Sequence, residues 1–147
     1  MRLSKNFTLN ELTKSQTALR MGIDNSPTPE DLHNLSNLCD NILQPVREHF
    51  GKPVTISSGY RSVKLCLAIG SSQNSQHAKG EAADFEVIGV DNKTVAEWIR
   101  DNLQFDQLIL EFYNDDDPNS GWIHCSYSER HRKSVLKYDG KNYTNGF

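Results

Sequence analysis

The stretch Ser75-Gln76-His77-Ala78-Lys79-Gly80-Glu81-Ala82-Ala83-Asp84-Phe85-Glu86-Val87 reads as a loop that turns into a strand. The residues from Gly70 to Lys79 are rich in Ser, Gln, Asn and Gly, which predicts an ordered loop. Gly80 lets that loop turn sharply. From Ala82 onward the residues alternate. Ala82, Asp84 and Glu86 share one face of the strand; Ala83, Phe85 and Val87 share the other. Asp84 therefore points away from the apolar side. His77 precedes it by seven positions, with small residues around both. Imidazole and carboxylate are suitable zinc ligands, and a catalytic zinc site keeps three of them with one position open.

A third ligand has to come from another histidine. His33 and His49 fall on a long N-terminal helix, and His131 on a charged tail segment. His124 lies in Gly121-Trp122-Ile123-His124-Cys125-Ser126-Tyr127, which reads as a strand. Trp122, His124 and Ser126 share one face, so Cys125 is sent to the other. A lone strand histidine is more often a hydrogen-bonded structural residue than a ligand. A His and an Asp at this spacing also occur by chance in many chains.

Outward from these strands, the N-terminal half is helical. Thr8-Leu9-Asn10-Glu11 has the form of a capping box. Thr28 caps a longer helix, with Pro29 at its first position and Glu30 and Asp31 in its first turn. Leu32, Leu35, Leu38, Ile42, Val46 and Phe50 recur at helical spacing and mark its buried face. Gly51 and Pro53 end it, and Pro45 inside it predicts a kink or a break. Val54–Ser57 reads as a strand and Ser62–Ala68 as a short helix. Asp91 caps a helix running to about Leu103. Gln107–Phe112 and Trp122–Tyr127 read as strands around a strong breaker loop, Asn114–Gly121, and Val135–Tyr138 as a last short strand. Helices first and strands later predict an α+β fold, with N-terminal helices packed on a largely antiparallel sheet.

The 147 residues fit one domain spanning 1–147, with no linker or repeat. A net charge of −3 makes nucleic acid an unexpected partner. No apolar run is long enough to cross a membrane. Met1 to Phe7 shows no apolar segment of a signal peptide, so the chain is expected to be made in the cytoplasm without one. Cys39, Cys66 and Cys125 are odd in number and lack CxxC spacing, which predicts free thiols without a metal role. Asp115-Asp116-Asp117 lacks the glycine and distant glutamate of an EF-hand and reads as a solvated turn. The basic tail around Arg130, His131, Arg132 and Lys133 reads as a solvated face.

Taken together, Ser75-x-His77-x-x-Gly80-x-Ala82-x-Asp84 and Trp122-x-His124 resemble the zinc D-Ala-D-Ala carboxypeptidase family. That family is grouped with lysostaphin-like and hedgehog-like zinc proteins. Four further segments resemble its small, phage-associated branch: Phe7–Thr13, Leu43–Arg47, Ser57–Ser62 and Phe105–Ile109. The resemblance implies a hedgehog/DD-peptidase-like fold and one Zn2+ per chain, held by His77, Asp84 and His124. It implies cleavage within the peptidoglycan stem peptide, either of a terminal D-alanine or of an L-alanyl-D-glutamate bond. Arg61 falls where members carry an Arg facing the site, where it could hold a substrate carboxylate or the carbonyl under attack. Ser75 and Trp122 are expected to line the substrate site.

Many relatives carry an acid or a histidine two or three residues before the last ligand. Here those positions are Gly121 and Trp122, which cannot take a proton. Glu111 is the expected replacement, because a hairpin of its strand with that of His124 brings it near the metal, where it can serve as general base. Asp106 is the second choice and Glu81 the third. The competing reading is a non-catalytic zinc module that binds wall peptide or a protein partner; a structural component of a phage particle is a third. For the enzyme, a monomer acting at the cell wall after lysis, release or delivery is expected.

Overall fold

The structure is a computed structural model that describes residues 1–147. Local signals set the helices. Strands β1 (Arg2–Ser4) and β2 (Phe7–Thr8) pair as a small ribbon. The Thr8/Glu11 capping box then starts α1 (Leu9–Thr13). A helix that the sequence reading did not anticipate, α2 (Gln16–Met21), is capped by Ser15 and closed by Gly22. Helix α3 (Pro29–Leu38) begins at the Thr28 cap.

The kink or break expected at Pro45 takes the form of a π-turn. Residues Cys39–Leu43 form a π-turn, and helix α4 (Gln44–Phe50) follows directly and ends at Gly51 in the left-handed conformation. Pro45 has no N–H to donate and crowds the preceding turn. The wider π-turn immediately upstream, closed by Gln44 N–H on the Cys39 carbonyl, takes up that misfit. The apolar stripe continues across it: Leu35, Leu38, Ile42 and Val46 are all buried.

The remaining elements are β3 (Val54–Ser58), α5 (Val63–Ala68), β4 (Ala82–Val87), α6 (Asn92–Asn102), β5 (Gln107–Glu111), β6 (Trp122–Ser126), β7 (Ser134–Tyr138) and β8 (Tyr143–Asn145). Six of the strands form one sheet in the order β3-β4-β6-β5-β7-β8. All neighbours are antiparallel except β5 and β7. The fold is α+β, and the chain adds β1, β2 and β8 beyond the strands read from the sequence.

One sheet face carries Ala83, Phe85, Val87, Leu108, Leu110, Ile123 and Cys125 into a core of 22 buried residues shared with α3, α4 and α6. Burying side chains such as Phe85 and Leu110 contributes roughly 1.5–3 kcal/mol each. That face fixes the register, because a slip of one residue would turn the apolar set outward. The opposite face consequently presents Asp84, Ile109, Glu111, Trp122 and His124 in a fixed array. No helix is long and apolar enough to cross a membrane.

Candidate metal centre

His77 reaches the site from a single 3-10 turn, Gln76–Lys79. Ser75 Oγ caps this turn by accepting from the His77 N–H at 3.2 Å. Gly80 closes it at φ +76°, and a Cβ there would collide with the Asp31 carbonyl, so the position requires glycine twice over. The His77 ring is almost fully buried, and its Nδ1 lies 2.7 Å from the Gly59 carbonyl. A carbonyl can only accept, so Nδ1 carries the proton and Nε2 presents a bare lone pair.

The Ser-Gly-Tyr-Arg segment supports this arrangement. Gly59 packs on the backbone of Leu12, where a side chain would not fit. Tyr60 donates its N–H to the Leu12 carbonyl at 2.6 Å and its hydroxyl to Asp31 at 2.9 Å. Arg61 N–H donates to the His77 carbonyl at 3.1 Å.

Asp84 and His124 face each other across the β4/β6 ladder. His124 Nδ1 lies 2.9 Å and His77 Nε2 3.5 Å from the same oxygen, Asp84 Oδ1. The three residues can each offer a ligand atom within 4.8 Å of the others. Burial pushes the His77 pKa down, with Arg61 and His124 adding to the effect against Asp84. Burial also pushes the Asp84 carboxyl up, but the hydrogen bond from His124 first, and the closeness of His77, outweigh it and hold the group well below the usual carboxylate range. A neutral imidazole lone pair aimed at a carboxylate oxygen is repulsive unless a cation lies between them. The donor set, two imidazoles and one carboxylate fixed by outer hydrogen bonds, fits a zinc ion.

Glu111 sits two pairs along the β5/β6 ladder, opposite Trp122, while Ile109 is opposite His124. Its carboxylate is half-buried and accepts from Trp122 Nε1 at 2.8 Å. Burial, followed by the Asp84 charge, raises its pKa; His124, the indole N–H and Arg61 oppose the rise. The glycine that replaces an acid at position 121 also has a structural cause. Gly121 has φ +66°, and any Cβ there would run into the backbone of Glu111 and Phe112. The chain thus excludes a side chain at that position while it places a carboxylate beside it from the neighbouring strand.

These groups line one cleft of about 610 Å3 that also takes in Arg61, Ser75, Gln107, Arg130, Arg132 and Tyr143. Arg61 Nε is buried and has no hydrogen-bond partner within the protein. Arg61 also borders a second cavity of about 810 Å3 beside Thr13, Asn25, Tyr60 and Leu65.

Several expectations need correction. Asp106 is not placed to act as a base. It is fully buried and occupied by Arg132 at 2.7 and 3.0 Å, Arg130 at 3.1 Å and Gln76 at 2.7 Å. Burial raises its pKa, but these bonds, Arg132 first, overcome that and hold it far down. Glu81 lines a different cavity, with His33 and Asn34, and accepts from Gln76. Ser75 borders the cleft; its oxygen accepts from the His77 N–H, and its O–H can still donate. The basic tail is not a plain solvated face, because Arg130 and Arg132 fold back onto Asp106 and the cleft. Only the cation-terminated pattern of the tail hinted at this; its buried partner lies 24 residues upstream.

The cysteines behave as expected. All three are free and buried, and Cys125 lies on the core face. Burial pushes their thiols up, that of Cys39 to about 12, so none is a ready thiolate.

A 3-10 turn and two antiparallel strands converge two histidines and an aspartate, a group that could hold a metal ion, beside a half-buried glutamate. The chain belongs to the Peptidase M15 family, whose profile matches residues 5–126 and so includes all three candidate ligands and Glu111. No curated protein matches the sequence. The protein is therefore a peptidase of a zinc-dependent family that acts on peptidoglycan.

Proposed function

We propose that the protein hydrolyses a peptide bond in the peptidoglycan stem peptide with one zinc held by His77, Asp84 and His124. The observation that carries this reading is His77 with Nδ1 against the Gly59 carbonyl and Nε2 turned toward Asp84 Oδ1, with Glu111 on the adjoining strand. Held by His77, Asp84 and His124, zinc would supply a Lewis acid for the scissile carbonyl and would lower the pKa of water toward neutrality.

The chain's own groups do the rest. Glu111 takes a proton from the attacking water and returns it to the amine as the carbon–nitrogen bond breaks. Its raised pKa suits both duties, since a carboxyl poised nearer neutrality accepts and releases a proton readily. Trp122 Nε1–H holds the carboxylate in place. Arg61, whose buried Nε is unpaired within the protein, donates to a substrate carboxylate or to the carbonyl oxygen as it gains charge. Trp122 and the backbone around Ser75 form the adjoining walls.

The bond cut is the terminal D-alanyl-D-alanine bond or the L-alanyl-D-glutamate bond. The resemblance of residues 7–13, 43–47, 57–62 and 105–109 to the phage-associated branch supports action at the wall after lysis or delivery, as an endolysin. Incubation of the zinc-loaded protein with purified peptidoglycan and defined stem peptides, with products identified by mass, tests the reading. Release of D-alanine, or of a new N-terminal D-glutamate, is the expected outcome. Tight zinc binding with no new product from any peptide would favour a binding module instead.

A further inference from the structure

The family match ends at Ser126, yet three residues that line the metal cleft lie beyond it: Arg130, Arg132 and Tyr143. The two arginines are not free to wander. Asp106, with no exposed surface, grips Arg132 with both oxygens and Arg130 with one, and the Arg132 backbone N–H adds a bond at 3.2 Å. Gln76, the neighbour of His77, donates to the same carboxylate at 2.7 Å. One buried carboxylate therefore orients two guanidiniums and ties them to the metal-site turn.

One negative charge cannot balance two positive ones. The side chains of Arg130 and Arg132 remain 55% and 44% exposed. Their remaining N–H groups make no hydrogen bond within the protein. Arg61 lies on the same cleft. A chain of net charge −3 has thus gathered three arginines around one opening. Paired planar forks of this kind match carboxylates.

We propose that Arg130 and Arg132, positioned by Asp106, form a second carboxylate subsite in the metal cleft, separate from Arg61. The subsite selects peptides that carry a free carboxylate on D-glutamate, in addition to any carboxylate that Arg61 holds. Asp106 is a positioning residue here, and the arginines are specificity residues. The proposal rests on the peptidase reading for its substrate class.

The test uses two synthetic stem peptides that differ only at the D-glutamate α-carboxyl, free in one and amidated in the other. Binding is measured by calorimetry on the zinc-loaded Glu111→Gln protein, so that both peptides survive the titration. The free acid is expected to bind about tenfold tighter, the scale of a hydrogen bond to a charged group. In the added Arg130→Gln/Arg132→Gln background the preference should fall below about twofold, with the circular dichroism spectrum unchanged. Arg130→Gln alone leaves Asp106 held by Arg132 and Gln76, so it folds and should lose part of the preference. Equal binding of the two peptides, no binding of either, or a preference that survives the double substitution overturns the proposal. Cleavage is scored separately with Glu111 intact. Uncut peptides that still show the acid preference would remove the peptidase reading and leave the subsite.

Discussion

Asp84 and Asp106 are both held far below the usual carboxylate range, and each is surrounded by nitrogen donors. Their partners differ in kind. Asp106 faces two guanidiniums, which stay charged at any ordinary pH, so its charge is permanently matched. Asp84 faces two imidazoles, and that of His77 is buried, neutral and fixed with its lone pair inward. The first needs no added cation, and it orients arginines whose outer N–H groups stay unpaired within the protein. The second is complete only when a cation joins it. Two acids with similar pKa shifts therefore do opposite work, and the partner's ability to lose a proton decides which.

The largest effect that separates the two regions concerns metal. His77→Ala, Asp84→Ala and His124→Ala should each lose zinc and drop cleavage to background, while Asp106→Asn keeps one zinc per chain by metal analysis. Zinc at full occupancy in the three ligand variants would erase the distinction. Glu111→Gln should come next, with turnover lower by roughly 10²–10⁴-fold and zinc retained. Near-normal turnover in that variant would leave the proton transfer without an assigned residue.

Asp106→Asn should act on stability. Replacing a buried acceptor of charged donors costs about 1–3 kcal/mol, read as a lower urea midpoint at pH 7. The pH dependence has a defined sign. The Asp106 pKa is depressed on folding, so its contribution is fully present above the unfolded value of about 3.9 and is lost as pH falls through the lower folded value. The parent protein should therefore lose stability in acid more steeply than Asp106→Asn. Parallel curves between pH 7 and pH 3 would show that the arginine clamp stores no such energy. Cys125→Ala should have the smallest effect, about 1 kcal/mol with zinc unchanged, because its thiol lies on the core face.

The grouping of His77, Asp84 and His124 was legible in the sequence because each piece is local. Strand alternation puts Asp84 and His124 on one face, and the 75–80 loop delivers His77. Glu111 was legible through the hairpin, whose register places it diagonally from His124. The Thr8, Thr28 and Asp91 caps and the Gly51 stop were local too. What stayed hidden depends on long-range contact. Nothing near Asp106 indicates that Arg130 and Arg132 return to it after a strand and a turn, so it looked like a spare base. The bond from His77 to the Gly59 carbonyl spans 18 residues. The parallel pairing of β7 with β5 joins segments whose order along the chain does not disclose it. At Pro45 a kink or a break was legible but the π-turn was not, because proline marks where a helix is stressed and leaves open how the stress is absorbed.

The central claim is that one zinc sits between two imidazoles and a carboxylate with no sulfur ligand. X-ray absorption at the zinc edge of the singly loaded protein tests it most directly. The account predicts a shell of nitrogen and oxygen at about 2.0–2.2 Å with imidazole scattering. A zinc–sulfur distance of about 2.3 Å, or a spectrum unchanged by Asp84→Ala and His77→Ala, would contradict it.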